Sequence, residues 1–309
     1  MPNKSTEPEV VYHYTSMETM LKIVDSRSIW ASSMDYLNDT SEGKHFVRQV
    51  STRLPGFVEQ HGYGSEFIPE MRNEIQREVP FQIRPYVASF SAENDSLPQW
   101  RAYCSAGNGV AIGFSVDCLK RAFFAGSAEG KRKTVALTFT PVTYTEVTLP
   151  DKVIDKEIKD SIKATDVLVE YAKATNRDIR RETAFRVLIE AQASSRKHSS
   201  FSHEREYRIT VHPNLVPEFS LDFRPAGTTL VPFVKLGIPE KRSGYENANY
   251  ERPSAASILG GRGRFQFIDR VVIGPTPNAY LSMRAVREYF NHMRLDVEVV
   301  RSDIPFRDW

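Results

Sequence analysis

The stretch that most constrains this chain is Phe201–Val211, FSHEREYRITV, where charged residues recur at every second position and run into β-branched ones. Side chains of a strand alternate faces, so an extended reading sends Glu204, Glu206 and Arg208 one way and Arg205, Tyr207 and Ile209 the other. Ile209, Thr210 and Val211 favour a strand without saying which face is buried. Two outcomes stay open. On an exposed face these charges form ion pairs of little worth; in a cleft they present two fixed carboxylates side by side.

The rest of the chain has material for a genuine core, with 309 residues of which 40% are apolar. Lys plus Arg number 41 and Asp plus Glu 39, so no global field draws the molecule to nucleic acid or an anionic membrane. The two cysteines, Cys104 and Cys118, lack metal-type spacing and suit a reducing compartment. The polar start MPNKSTEPEV has no apolar signal core and no run is long enough to span a bilayer, so a soluble cytoplasmic protein without membrane contact is expected. Strands mix with helices without regular βαβ alternation, and no glycine-rich dinucleotide fingerprint follows the first strand. The expected fold is α+β, a mixed or antiparallel central sheet with flanking helices. A single domain over 1–309 is expected, with a helical insert at about 151–196 and a long loop at about 239–266.

Along the chain, Val10–Tyr14 reads as a strand that ends at His13 and Tyr14. Thr15-Ser16-Met17-Glu18 has capping-box spacing, and Met17, Met20, Leu21 and Val24 form one apolar stripe of the helix that follows. His13 therefore lies just before a helix N-terminus, a place that suits anionic ligands, although a structural histidine fits equally. Residues 42–80 read as amphipathic helix broken near Pro55-Gly56 and Gly62. Pro85–Ser91 is a second strand ending in hydroxyls. Trp100 and Tyr103 stand three apart on a helical turn, where they serve either as core or as a stacking platform for a planar ring. Gly113, in the strand Val110–Phe114, marks a bulge or a close approach. Two helices over 151–193 read as a peripheral layer away from any site. Strands at 135–139, 229–236, 267–273 and 295–300 and a helix at 282–293 complete the chain. Lys131-Arg132-Lys133 and Arg262-Gly263-Arg264 read as solvated loop.

Taken in order, YHYTSMETMLKIVDSRSIWASSMDYLNDTSEG, SFSAENDSLPQWRAYCSAGNGVAIGF, HEREYRI, RVVIGPT and VVRSDIPFR resemble the bacterial family called domain of unknown function 2971. A more distant likeness is to ADP-ribosyltransferases, whose split sheet gathers three elements around NAD. That likeness implies that His13, with Tyr14 and Thr15, holds a ribose. It implies that Ser89 and Ser91 shape the nicotinamide pocket, with Phe90 departing from the Ser-Thr-Ser block of one class. Trp100 and Tyr103 supply aromatic walls, Arg208 stands beside the ligand, and Glu204-Arg205-Glu206 matches a Glu-x-Glu block. Glu206 and Glu204 are then the catalytic pair.

The chemistry suits these residue types. Breaking the nicotinamide–ribose bond places positive charge on the sugar, which a fixed carboxylate such as Glu206 stabilises through the 2′-OH. Glu204 serves as general base on the acceptor. The likeness implies NAD as the substrate, with no metal or prosthetic group needed, and leaves the acceptor open among protein, nucleic acid, small molecule and water. The implied setting is anti-phage defence or a toxin, with the oligomeric state open. Two rivals remain: a non-catalytic nucleotide-binding sensor, and a metal-dependent nuclease using His13, His203, Glu204 and Glu206.

Overall fold

A computed structural model of the chain describes residues 7–37, 43–62, 68–76, 85–104, 107–123, 137–174, 179–212, 221–237 and 267–305. The readings made for 38–42, Lys131-Arg132-Lys133 and the loop at 239–266, Arg262 to Arg264 included, lie outside these residues.

Strand β1 (Val10–Ser16) passes directly into helix α1 (Met17–Ser26). The cap is Ser16, whose hydroxyl accepts the Thr19 N–H at 3.1 Å, one position later than the expected box. Glu18 is therefore not a capping partner and pairs with Lys22. The buried stripe is Met20, Ile23 and Val24. Leu21, expected on it, is exposed, since it lies about 100° around the helix from Met20. Arg27 ends the helix in the left-handed region, φ 46°, and β2 (Ser28–Ser33) follows. Helix α2 (Lys44–His61) runs through Pro55 instead of breaking there. Its buried stripe of Val50, Leu54, Phe57 and Val58 crosses the proline, and tertiary packing overrides the local preference.

The elements that follow are α3 (Ile68–Gln76), β3 (Tyr86–Ser91), α4 (Leu97–Tyr103), β4 (Gly109–Ser115), α5 (Val116–Phe123), β5 (Leu137–Pro141) and β6 (Thr143–Thr145). Then come α6 (Asp151–Ala174), α7 (Arg181–Ser194), β7 (Arg196–His198), a 3-10 turn at Ser199–Glu204, and β8 (Glu206–Val211). The chain closes with β9 (Leu221–Ala226), β10 (Thr229–Gly237), β11 (Ile268–Ile273), α8 (Ala279–His292) and β12 (Glu298–Arg301). Strands β6, β7 and β9 were not legible in the sequence. Strand β9 carries Pro225, which argues against a strand except at a sheet edge, and the edge is where β9 lies.

The fold is α+β. Among the described residues ten strands form one mixed, mostly antiparallel sheet, with β11 and β12 as its parallel pair. Strand β3 is its branch point. One edge pairs with β8 from Tyr86↔Val211 to Ser91↔Glu206. The other edge is shared: β1 touches it at Tyr12↔Ser91, and β2 at Ser32↔Val87 and Ser33↔Tyr86. Between those contacts β1 and β2 part, so the sheet forks along β3. One arm runs β1-β4-β11-β12 and the other β2-β10-β9.

Alternation along these strands divides the core. Val11, Ile112, Phe114, Val271 and Ile273 join Met20, Ile23, Val24, Val286 and Phe290 on the face covered by α1 and α8. Tyr12, Tyr14, Ala111 and Val272 pack with Trp100 of α4 on the other. Ala285, expected on the buried side of α8, is exposed. A third apolar cluster joins α2, α3, α6 and α7, so the helical layer includes the early helices as well as the insert.

Trp100 sets a tight steric constraint. A Cβ on Gly274 meets the indole at 2.9 Å and the Gly109 carbonyl at 3.0 Å. Gly113 is likewise closed in, with the Tyr12 ring 2.9 Å from where its Cβ would sit, opposite a register shift in β11 between Ile268 and Arg270. Gly274→Ala is expected to lower stability by about 1–3 kcal/mol in urea denaturation, because the nearest obstacles include backbone. A second expectation concerns His212, just after β8. It is buried, with neither ring nitrogen partnered among the described residues. Burial alone pulls its pKa down from 6.5 to about 4. The unfolded chain thus takes up this proton first, so stability is full above pH 6.5 and is lost as pH falls toward 4, on the order of 3 kcal/mol. His212→Phe should flatten the pH dependence of the urea midpoint over that interval.

Candidate functional site

The fork creates a cleft over β3, and the sheet register furnishes it. Cross-strand partners share a face, so Ser91 opposite Glu206 and Ser89 opposite Arg208 place two hydroxyls, a carboxylate and a guanidinium together. A cavity of about 220 Å³ lies on this surface. It is lined by His13, Tyr14, Ser89, Ser91, Tyr103, Glu204, Glu206 and Arg208, and also by Lys197 and Arg224.

Glu204 reaches the cleft by a route other than the expected strand. It ends the 3-10 turn, and β8 begins only at Glu206. Arg205 between them is left-handed, φ 43°, and exposed, with its guanidinium on Glu93. The turn is held from β3, as the Ser91 hydroxyl donates to the Glu204 carbonyl at 2.7 Å.

The acidic pair is buried in a four-charge network, not spent on surface ion pairs. Arg208, 1% exposed, clamps Glu206 with two bonds, Nε to Oε1 at 2.7 Å and Nη2 to Oε2 at 3.0 Å, and gives Nη1 to the Ser194 carbonyl at 2.7 Å. Lys197 Nζ lies 2.8 Å from Glu204 Oε2 and 3.4 Å from Glu206 Oε2. For Glu206, burial pushes the pKa up, but the charge and hydrogen bonds of Arg208, with Lys197 and the Ser89 hydroxyl, outweigh it and hold the pKa below 4.5. For Glu204, burial dominates; Lys197 opposes it and Glu206 adds to it, so the pKa is raised. Two neighbouring carboxylates are thereby set apart, one held ionised and one moved toward the range of acid–base work.

His13 stands where β1 leaves β3. Its Nδ1 is 2.9 Å from the Ser89 carbonyl oxygen, which can only accept, so Nδ1 carries the proton and Nε2 of the neutral ring is an acceptor. Burial lowers its pKa, the bond to Ser89 resists this, and the charge of Arg224 lowers it further. The Tyr14 ring lines the cleft, but its hydroxyl is engaged, donating to the Glu93 carbonyl at 2.8 Å and accepting from the Ser96 N–H at 3.0 Å.

Two expected ligand contacts are not in the cleft lining. Trp100 is 5% exposed, gives its indole N–H to Asp95 at 2.7 Å and packs edge-on to Tyr14 at 4.6 Å. It is core, and the expected Trp100–Tyr103 platform is reduced to Tyr103. Thr15 is buried, and its carbonyl accepts from the Cys104 thiol at 3.4 Å. His203 is exposed and bonds the Ser200 carbonyl. It does not join His13 and the glutamates, and no group of three metal-type side chains is gathered among the described residues.

Sequence reasoning missed Lys197, Tyr144 and Arg224. Lys197 comes from short β7, directly after the insert, and Ser194 of α7 braces Arg208. The insert therefore helps to build the site it was expected to stand apart from. Tyr144 of β6 accepts the Glu206 N–H at 2.7 Å, and burial pushes its hydroxyl up to about 12.

The class these features define is an α+β protein with a forked sheet and a charged cleft at the branch. Residues 99–209 match the model of a family described as Protein of unknown function (DUF2971). That span is narrower than the blocks of resemblance along the sequence; it takes in Tyr103, Lys197, Glu204, Glu206 and Arg208 and leaves out His13, Ser89, Ser91 and Arg224. No curated protein and no solved structure matches the chain. No helix among the described residues is long and apolar enough to cross a membrane.

Removing one partner of a buried ion pair leaves the other uncompensated. Arg208→Met is thus expected to cost about 3–5 kcal/mol in urea denaturation. The double variant Arg208→Met/Glu206→Gln should recover a large part of that, since no buried charge is stranded at position 206.

Proposed function

We propose that the cleft binds NAD or a closely related nucleotide and breaks its nicotinamide–ribose bond, transferring ADP-ribose to an acceptor or to water. The observation that carries this is the convergence of an imidazole from β1, hydroxyls from β3, an aromatic ring from α4 and two unlike carboxylates on one cavity. At about 220 Å³ the cavity is smaller than the roughly 300–1,000 Å³ of drug-sized sites. It suits one ring–sugar–phosphate half of a dinucleotide rather than the whole.

In this proposal the C1′–N bond breaks, its electron pair leaves with nicotinamide, and the positive charge passes to the ribose. Glu206, ionised and held rigid by Arg208, accepts a hydrogen bond from the ribose 2′-OH and stabilises that charge. Glu204, with its raised pKa, takes the proton of the attacking acceptor. Neutral His13 offers Nε2 as acceptor to a sugar hydroxyl, and Tyr103 flanks the departing ring.

A non-catalytic nucleotide sensor is the second role to test, and one observation favours it. The Glu206 oxygens are already engaged by Arg208, Lys197 and Ser89, so its charge is largely balanced before any ligand arrives.

Chromatographic assay of nicotinamide release from NAD separates the two. Turnover in the native protein, lowered roughly 100-fold or more in Glu206→Gln, is the result expected. The rate should rise with pH through an apparent pKa above 4.5, and Glu204→Gln should abolish that limb. Calorimetric binding of NAD with no release, unchanged by Glu206→Gln, assigns the sensor role instead.

A further inference from the structure

Three cations and two carboxylates line the cleft. Lys197 and Arg208 are matched by Glu204 and Glu206. Arg224 of β9 has no carboxylate partner among the described residues; the one hydrogen bond it shows is from Nη2 to the Ser32 hydroxyl at 3.2 Å. Asp222, two residues away on the same face of the strand, is engaged by Lys235 at 2.6 Å. Arg224 is half-buried, so its charge is partly desolvated with no carboxylate among the described residues to offset it, and burial alone accounts for its lowered pKa. Its position is set by the sheet: Ser32 pairs with Phe233 of β10, which pairs with Asp222 of β9. Trp30, stacked on Phe233 at 4.7 Å between centroids, lines the same side of the cleft. The charge of Arg224 bears on His13 across the fork.

We infer that Arg224, with the Ser32 hydroxyl, forms an oxyanion subsite for a phosphate group of the ligand, on the arm of the fork opposite the arm that carries His13. Guanidinium donors in a fixed fork match phosphate oxygens, and a bound dianion supplies the counter-charge that the described residues do not. This subsite deepens the nucleotide proposal above and rests on it for the identity of the ligand. The sheet edge places it apart from Glu204 and Glu206, so the cleft separates a phosphate end from a carboxylate end.

Paired ligands that differ only in phosphate provide the test. Isothermal titration with AMP and with adenosine should give AMP at least roughly tenfold tighter binding, the scale of one charge-assisted pair. Arg224→Gln should remove that difference while leaving adenosine unchanged, and Arg224→Lys should restore part of it. The melting temperature of Arg224→Gln should hold or rise, because a partly desolvated charge is lost; a merely structural arginine would lower it. Equal binding of AMP by Arg224→Gln and the native protein, or no preference of the native protein for AMP over adenosine, overturns the subsite. AMP binding lost in Arg224→Gln with no NAD cleavage in the native protein retains the subsite and removes the transferase. NAD cleavage with unchanged KM in Arg224→Gln does the reverse.

Discussion

A carbonyl left at a branch organises this molecule. Where β1 and β2 part along β3, the backbone edge between Tyr12↔Ser91 and Ser32↔Val87 lacks a strand partner among the described residues. Buried carbonyls need donors, and His13 serves Ser89 through Nδ1. One side chain thus closes the fork, which is what opens a cleft in an otherwise continuous sheet. The same bond fixes the imidazole tautomer, so the histidine that completes the backbone also presents an acceptor to whatever occupies the cleft.

The second determinant is electrostatic. Four charges, Lys197, Glu204, Glu206 and Arg208, share a buried surface and nearly cancel. Such a network adds little net stability against an apolar equivalent, and breaking it is costly. Its effect is to set position and ionisation. Glu206 is held between two guanidinium nitrogens, while Glu204 has one ammonium partner and keeps a raised pKa. Arg224 stands outside the balance and gives the cleft its excess of positive charge.

The site is assembled from remote stretches with unequal footing. The helices at 151–193 read as a peripheral layer, yet they lead into Lys197 of β7 and the Ser194 carbonyl that holds Arg208. The family match at 99–209 spans this acidic and aromatic half. The imidazole, the serines and Arg224 come from segments on either side, and they meet it only through the sheet.

Much was legible before folding was considered. Period-two alternation in EYRITV implies that Glu206 and Arg208 share a face, and the hydroxyl-rich end of β3 marks Ser89 and Ser91. Periodicity located α1, composition marked α6 and α7, and the lack of βαβ order implied α+β. Local pattern misled where competing partners decided: Ser16 took the cap from Thr15, and Leu21 gave way to Ile23. Trp100 went to the core, where Gly109 and Gly274 leave space for its ring. The sequence by itself determined which side chains alternate and which helices are amphipathic, since both follow from short-range geometry. Tertiary structure alone decided that the sheet forks at β3, that Glu204 enters through a left-handed turn at Arg205, and that Arg224 meets no carboxylate among the described residues. These depend on pairings between residues tens to hundreds of positions apart, which no local period encodes.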